Sequence, residues 1–73
     1  MREVISTWWP FGRGWRAVSR RPYLELEVRP VADGWRWTVE KIVPASGTFS
    51  VVHEGLEESS ERAKQAATQA AET

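Results

Sequence analysis

Two stretches, Tyr23-Leu24-Glu25-Leu26-Glu27-Val28-Arg29 and Trp35-Arg36-Trp37-Thr38-Val39-Glu40-Lys41, decide the fold. In the first, Leu24, Leu26 and Val28 alternate with charged partners, the period of two that marks a half-buried strand. In the second, Trp35, Trp37 and Val39 share one face and Arg36, Thr38 and Glu40 the other. Between them, Pro30 lacks a ladder donor and Asp33-Gly34 tolerates positive φ, so Pro30 to Gly34 reads as a hairpin turn. The two apolar faces come together only across a turn of even length. Four residues, Ala32 to Trp35, are expected, with Val28 opposite Trp37 and, at a small electrostatic cost, Arg29 opposite Arg36.

Working outward, Pro44, Ser46 and Gly47 mark a second connection. After it Phe49, Val51 and His53 alternate with Ser50, Val52 and Glu54 as a third strand ending at Glu54-Gly55. The last element is a helix. Ser59 is its N-cap, Glu61 sits where the helix dipole favours an anion, and Ala63, Ala66, Ala67, Ala70 and Ala71 recur at helical spacing. A methyl-lined stripe lets the helix come close to a sheet, whose bulk must then come from Trp35, Trp37, Leu24, Leu26, Phe49 and Val51. The expected fold is α+β: a three-stranded antiparallel sheet in β-β-β-α order on one C-terminal helix, with an additional N-terminal hairpin or arm.

That arm, residues 1-22, precedes a body over residues 23-73. It holds Arg2, Arg13, Arg16, Arg20 and Arg21 against Glu3 alone, so it carries a net +4 and the body the balancing −4 in a chain of zero formal charge. Glu3-Val4-Ile5 and Trp15-Arg16-Ala17-Val18 could form a second hairpin through Pro10 to Gly14; the same glycines and prolines suit a mobile arm equally.

With 73 residues there is room for one domain, which hides only about 60% of its unfolded surface. Five tryptophans and no cysteine mean that large side chains, not disulfides or thiolate metal sites, hold it together. Ser6, Thr7 and Pro10 interrupt the first apolar stretch, so neither a signal peptide nor a membrane span is expected, and the reading is a cytoplasmic protein.

No catalytic set emerges. His53 is the only histidine, and Ser46, Ser50 and Asp33 lie in no nucleophile motif, so His53 reads as a strand residue and no enzyme is expected. One imidazole without cysteine makes no zinc site, and Glu57, Glu58 and Glu61 are explained by the helix dipole, so neither metal nor cofactor is expected. Gly12-Arg13-Gly14 does not open a helix and so is no phosphate loop.

The candidate contact residues are Trp8, Trp9, Arg13, Trp15, Arg16, Arg20 and Arg21, aromatics interleaved with arginines as in single-strand nucleic-acid binders. Against that, the expected outer face of the sheet is acidic, with Glu25, Glu27, Glu40 and Glu54 against Arg29 and Arg36. It would repel phosphates and attract the arm, and no exposed aromatics are expected on it. Protein binding, to another protein or to a second copy through an open strand edge or the arm, therefore ranks ahead of nucleic-acid binding.

The order Gly34-Trp35-x-Trp37-x-Val39, a third strand ending in Gly55 and Ser59 opening an alanine-rich helix is similar to many short bacterial and prophage proteins. Over about Tyr23 to Glu72 it also resembles the β-β-β-α core of HicB-type antitoxins, without their proline-glycine motif before the helix. The resemblance implies a small interaction module of mobile-element origin.

Overall fold

A computed structural model describes residues 7-20 and 23-72 and places along them β1 (Trp9–Phe11), β2 (Gly14–Arg20), β3 (Tyr23–Val31), β4 (Gly34–Val43), β5 (Thr48–Glu57) and α1 (Ser60–Ala71). Each strand pairs antiparallel with its neighbour in sequence, giving one sheet in the order β1-β2-β3-β4-β5. This corrects the expected three-stranded sheet. The segment read as an extra hairpin or arm supplies two further strands of the same sheet, because β2 pairs with β3 over six residues, from Trp15 opposite Val28 to Arg20 opposite Tyr23. The partner of β2 on its other side is Trp9–Phe11, which overlaps the expected connection Pro10 to Gly14, while the expected strand Glu3-Val4-Ile5 lies outside the described residues.

The central hairpin has the expected register, with Val28 opposite Trp37, Leu26 opposite Val39 and Arg29 opposite Arg36. Its turn is tighter than expected. The strands continue through Pro30 opposite Trp35 to Val31 opposite Gly34, leaving only Ala32 and Asp33 between them. Gly34 closes the turn at φ +145°, a conformation that L side chains rarely adopt.

The core lies between β2–β4 and the helix. Ala17 of β2, Leu24 and Leu26 of β3, Val39 of β4, and Ala67 and Ala71 of α1 form its buried cluster, with Trp8, Trp37 and Ala70 packed against it. The alanine stripe behaves as expected: Ala63, Ala67 and Ala71 are buried, while Ala66 and Ala70 flank them half-buried. The cap holds too, with the Arg62 amide donating to Ser59 Oγ at 3.2 Å. Trp37 fits beside the helix only because its strand neighbour lacks a side chain. A Cβ added to Gly55 would lie 2.6 Å from Nε1, Cε2 and Cζ2 of the indole, so the ring lies against a bare backbone. Removing an indole from water is worth on the order of 4–6 kcal/mol at full burial, so the half-buried Trp37 is a large part of this small core.

The third strand differs from expectation in two ways. It runs to Glu57 rather than stopping at Gly55, and it contains a bulge. Val39 pairs with His53 but Glu40 pairs with Val51, so Val52 is an extra residue and the two halves of β5 have opposite parity. Glu54 and Leu56 then share the face of Arg36 and Thr38, while beyond the bulge Phe49 and Val51 share the face of Ile42 and Glu40. Phe49 and Val51 therefore turn away from the helix they were expected to meet, and remain 44% and 47% exposed.

Candidate functional site

The helix covers one face of the sheet, and among the described residues nothing covers the other. Strand alternation places on the open face Trp9 and Phe11 of β1, Arg16, Val18 and Arg20 of β2, Tyr23, Glu25, Glu27 and Arg29 of β3, Arg36, Thr38, Glu40 and Ile42 of β4, and Phe49, Val51, Glu54 and Leu56 of β5. The middle of this face is charged and its two ends are apolar.

Arg16 organises the charged middle. Its guanidinium lies 3.5 Å from Glu25 and 3.7 Å from Glu27 on the adjacent strand and stacks 4.0 Å from the centre of the Phe11 ring. The positive segment does approach its own carboxylates, though as a strand paired on both sides within the sheet rather than an arm laid over it. Arg36 forms a second ion pair, with Glu54 on β5. Arg16, Arg20, Arg29 and Arg36 thus stand with Glu25, Glu27, Glu40 and Glu54, and the expected acidic face is balanced in sign. The Tyr23 hydroxyl donates to Glu25 Oε2 at 2.9 Å; that bond, with partial burial and the carboxylate charge, holds the phenol above its usual range.

The apolar ends include aromatics that the sequence reading did not place there. Trp9 is 39% exposed, Phe11 46%, Tyr23 44% and Phe49 44%. Six of the ten exposed large hydrophobics, Ile42, Val43, Phe49, Val51, Val52 and Leu56, lie on the β4–β5 hairpin, so exposed apolar surface concentrates at one margin of the molecule. Every residue from Lys41 to Glu54 is exposed, so this hairpin extends past the cover of the helix on both faces.

The candidate contact residues do not form one cluster. Trp8 packs inward against the core, and Trp15, half-buried, lies beneath the Lys64 ammonium at 3.7 Å on the helix side. Trp9 and Arg16 stand on the open face. Arg13 lies in the β1–β2 turn and Arg20 at the far end of β2, separated by about 23 Å at strand rise. Arg21 lies outside the described residues. Phe49 and Val51 stand on this face rather than against the helix because of the bulge, which leaves no sequence signal within Ser50-Val51-Val52-His53, and Ile42 and Leu56 join them because β4 and β5 run past the expected strand ends at Lys41 and Gly55.

The two edges of the sheet differ. β1 is three residues long and contains Pro10, both devices that discourage a further strand. β5 is ten residues long, contains neither proline nor lysine, and has no neighbour beyond it among the described residues. A shallow depression between the β3–β4 turn and β5, lined by Val31, Asp33, Arg36, Glu54 and Leu56, adjoins that edge. Among the described residues no group of histidine, aspartate and glutamate side chains could hold a metal ion, and no helix is long and apolar enough to cross a membrane. Comparison with known proteins finds no matching family model, no similar curated protein and no similar solved structure.

Proposed function

We propose that the protein is a small non-catalytic binding module that receives another polypeptide strand on the edge of β5. The observation that carries this reading is a long sheet edge without proline or lysine, with no neighbour among the described residues, beside a margin of exposed apolar side chains. Backbone donors and acceptors on such an edge supply affinity for an added strand, and side-chain pockets beside it supply selectivity. The same face suits nucleic acid poorly. Its arginines are matched in number by carboxylates, Arg16 and Arg36 are held in ion pairs, and Arg13 and Arg20 stand at opposite ends of β2.

The test compares capture by immobilised wild-type chain with capture by Val51→Lys, which places a charge beside the β5 edge where natural edge strands carry one. A binding partner retained by wild type and lost by the variant supports the module. A fluorescent single-stranded oligonucleotide is titrated in parallel. Tight binding that falls steeply as salt rises and disappears in Arg20→Ala/Arg21→Ala would overturn the proposal in favour of nucleic acid.

A further inference from the structure

Resting on that reading, we infer that the strand received by β5 is β5 of a second copy, in one specific register that joins two five-stranded sheets into a ten-stranded one.

The bulge determines the register. Two copies related by a two-fold axis perpendicular to the sheet keep their helices on the same side, so directly opposed residues must come from the same face. An unbulged strand of ten residues cannot satisfy this over its full length, because its full-length antiparallel register opposes odd-numbered to even-numbered residues. The parity break at Val52 lies at the middle of Thr48–Glu57 and removes the conflict. Phe49 then opposes Leu56 of the second copy and Val51 opposes its Glu54, all on the open face. Thr48 opposes its Glu57 and Ser50 its Gly55, all on the helix side. No carboxylate faces another, and two of the most exposed hydrophobics, Phe49 at 44% and Leu56 at 52%, cover each other twice.

Shape and charge allow the assembly. The helix packs over β3, β4 and β5, centred on β4. The two β4 strands would lie three strand spacings apart, about 14 Å, which exceeds the 8–10 Å at which helices touch. A chain of zero formal charge meets no net repulsion from its copy. The molecule is 34 Å in its longest dimension, and ten extended residues span about 33 Å, so the edge runs nearly its whole length. A strip of that length covering both faces of one strand buries on the order of 600 Å² per partner, below the ~800 Å² of a standard specific interface. The dimer is accordingly a reversible one that forms with rising protein concentration.

The chain has no cysteine, which makes the register testable by cross-linking. Phe49→Cys and Leu56→Cys variants are mixed under mild oxidation, and sedimentation of the wild type is followed from about 1 µM to about 1 mM. The expected result is a monomer–dimer equilibrium together with a disulfide between the two variants, whose α-carbons would stand within the 4.4–6.8 Å a disulfide spans. Neither variant alone should cross-link, since two copies of position 49 would stand about 23 Å apart. A chain that stays monomeric throughout, or a dimer in which the mixture does not cross-link preferentially, overturns the inference. If a monomeric chain still captures a partner that Val51→Lys loses, the copy-to-copy pairing fails while the binding module stands. If capture is also unaffected by Val51→Lys, both fail.

Discussion

Substituting Gly55→Ala probes the packing on which the helix-covered face depends. An ideal Cβ at position 55 falls 2.6 Å from Nε1, Cε2 and Cζ2 of Trp37, whereas carbon atoms pack best at about 3.5–4.0 Å. The indole must therefore shift by about 1 Å, against a core made of Ala17, Leu24, Leu26, Val39, Ala67 and Ala71. Overpacking of this kind costs about 1–3 kcal/mol. Gly55 is not among the glycines at positive φ, so the methyl also restricts the unfolded chain and returns about 0.4–1 kcal/mol. The net expectation is a loss of about 1–2 kcal/mol, which in a domain of this size lowers Tm by roughly 5–15 °C. Urea unfolding followed by circular dichroism measures it, and the decisive comparison is a double-mutant cycle with Trp37→Leu. With the indole gone, Gly55→Ala should become neutral or stabilising. An unchanged Tm for Gly55→Ala alone, or an equal loss with and without the indole, would refute the stacking of Trp37 on a bare backbone.

Arg16→Ala removes two partly exposed ion pairs and the stack on Phe11 at once, so it should cost about 1–2 kcal/mol. Part of that difference from wild type should shrink in about 0.5 M NaCl, and melting at two salt concentrations checks it. Ser59→Ala should destabilise by about 1 kcal/mol through loss of the bond to the Arg62 amide, while Ser59→Asp should stay close to wild type in chemical denaturation. Tyr23 is the only tyrosine, so phenolate absorbance reports it alone, and its midpoint should lie above that of a free tyrosine and fall in Glu25→Ala. Because the folded state raises this pKa, the associated stability is complete below the unfolded value near 10 and is lost as pH rises through the folded one. A midpoint unmoved by Glu25→Ala would remove the hydrogen bond as its cause.

The elements that were legible in the sequence are those whose faces separate cleanly. β3 and β4 carry large apolar residues on one face and charges on the other, so their register follows from parity, and the helix announces itself through its cap and evenly spaced alanines. β2 was harder for a physical reason. Its inward residues are Trp15, Ala17 and Ser19 and its outward ones Arg16, Val18 and Arg20, so one inward residue is polar and one outward residue is apolar. Ala17 and Ser19 are fully buried, small residues that add no hydrophobic signal. Gly14, which read as a loop breaker, opens the strand because a Cβ there would meet the Val28 carbonyl oxygen. In β5 the consecutive valines conceal the bulge: an apolar residue stands at either parity, so the pattern gives no warning that Phe49 and Val51 point outward. The candidate contact residues share a composition of aromatics and arginines, whereas the exposed margin of β4 and β5 arises from register.

Hydrogen exchange of the β5 amides at two protein concentrations shows directly whether the outer edge of this strand is uncovered in the single chain and is where a strand adds. In dilute protein the outward amides of Thr48–Glu57 should exchange rapidly while those of β3 and the inner side of β4 stay protected. In concentrated protein the same outward amides should become protected. Protection already complete at high dilution would contradict this, as would rapid exchange that neither rising concentration nor a captured partner slows.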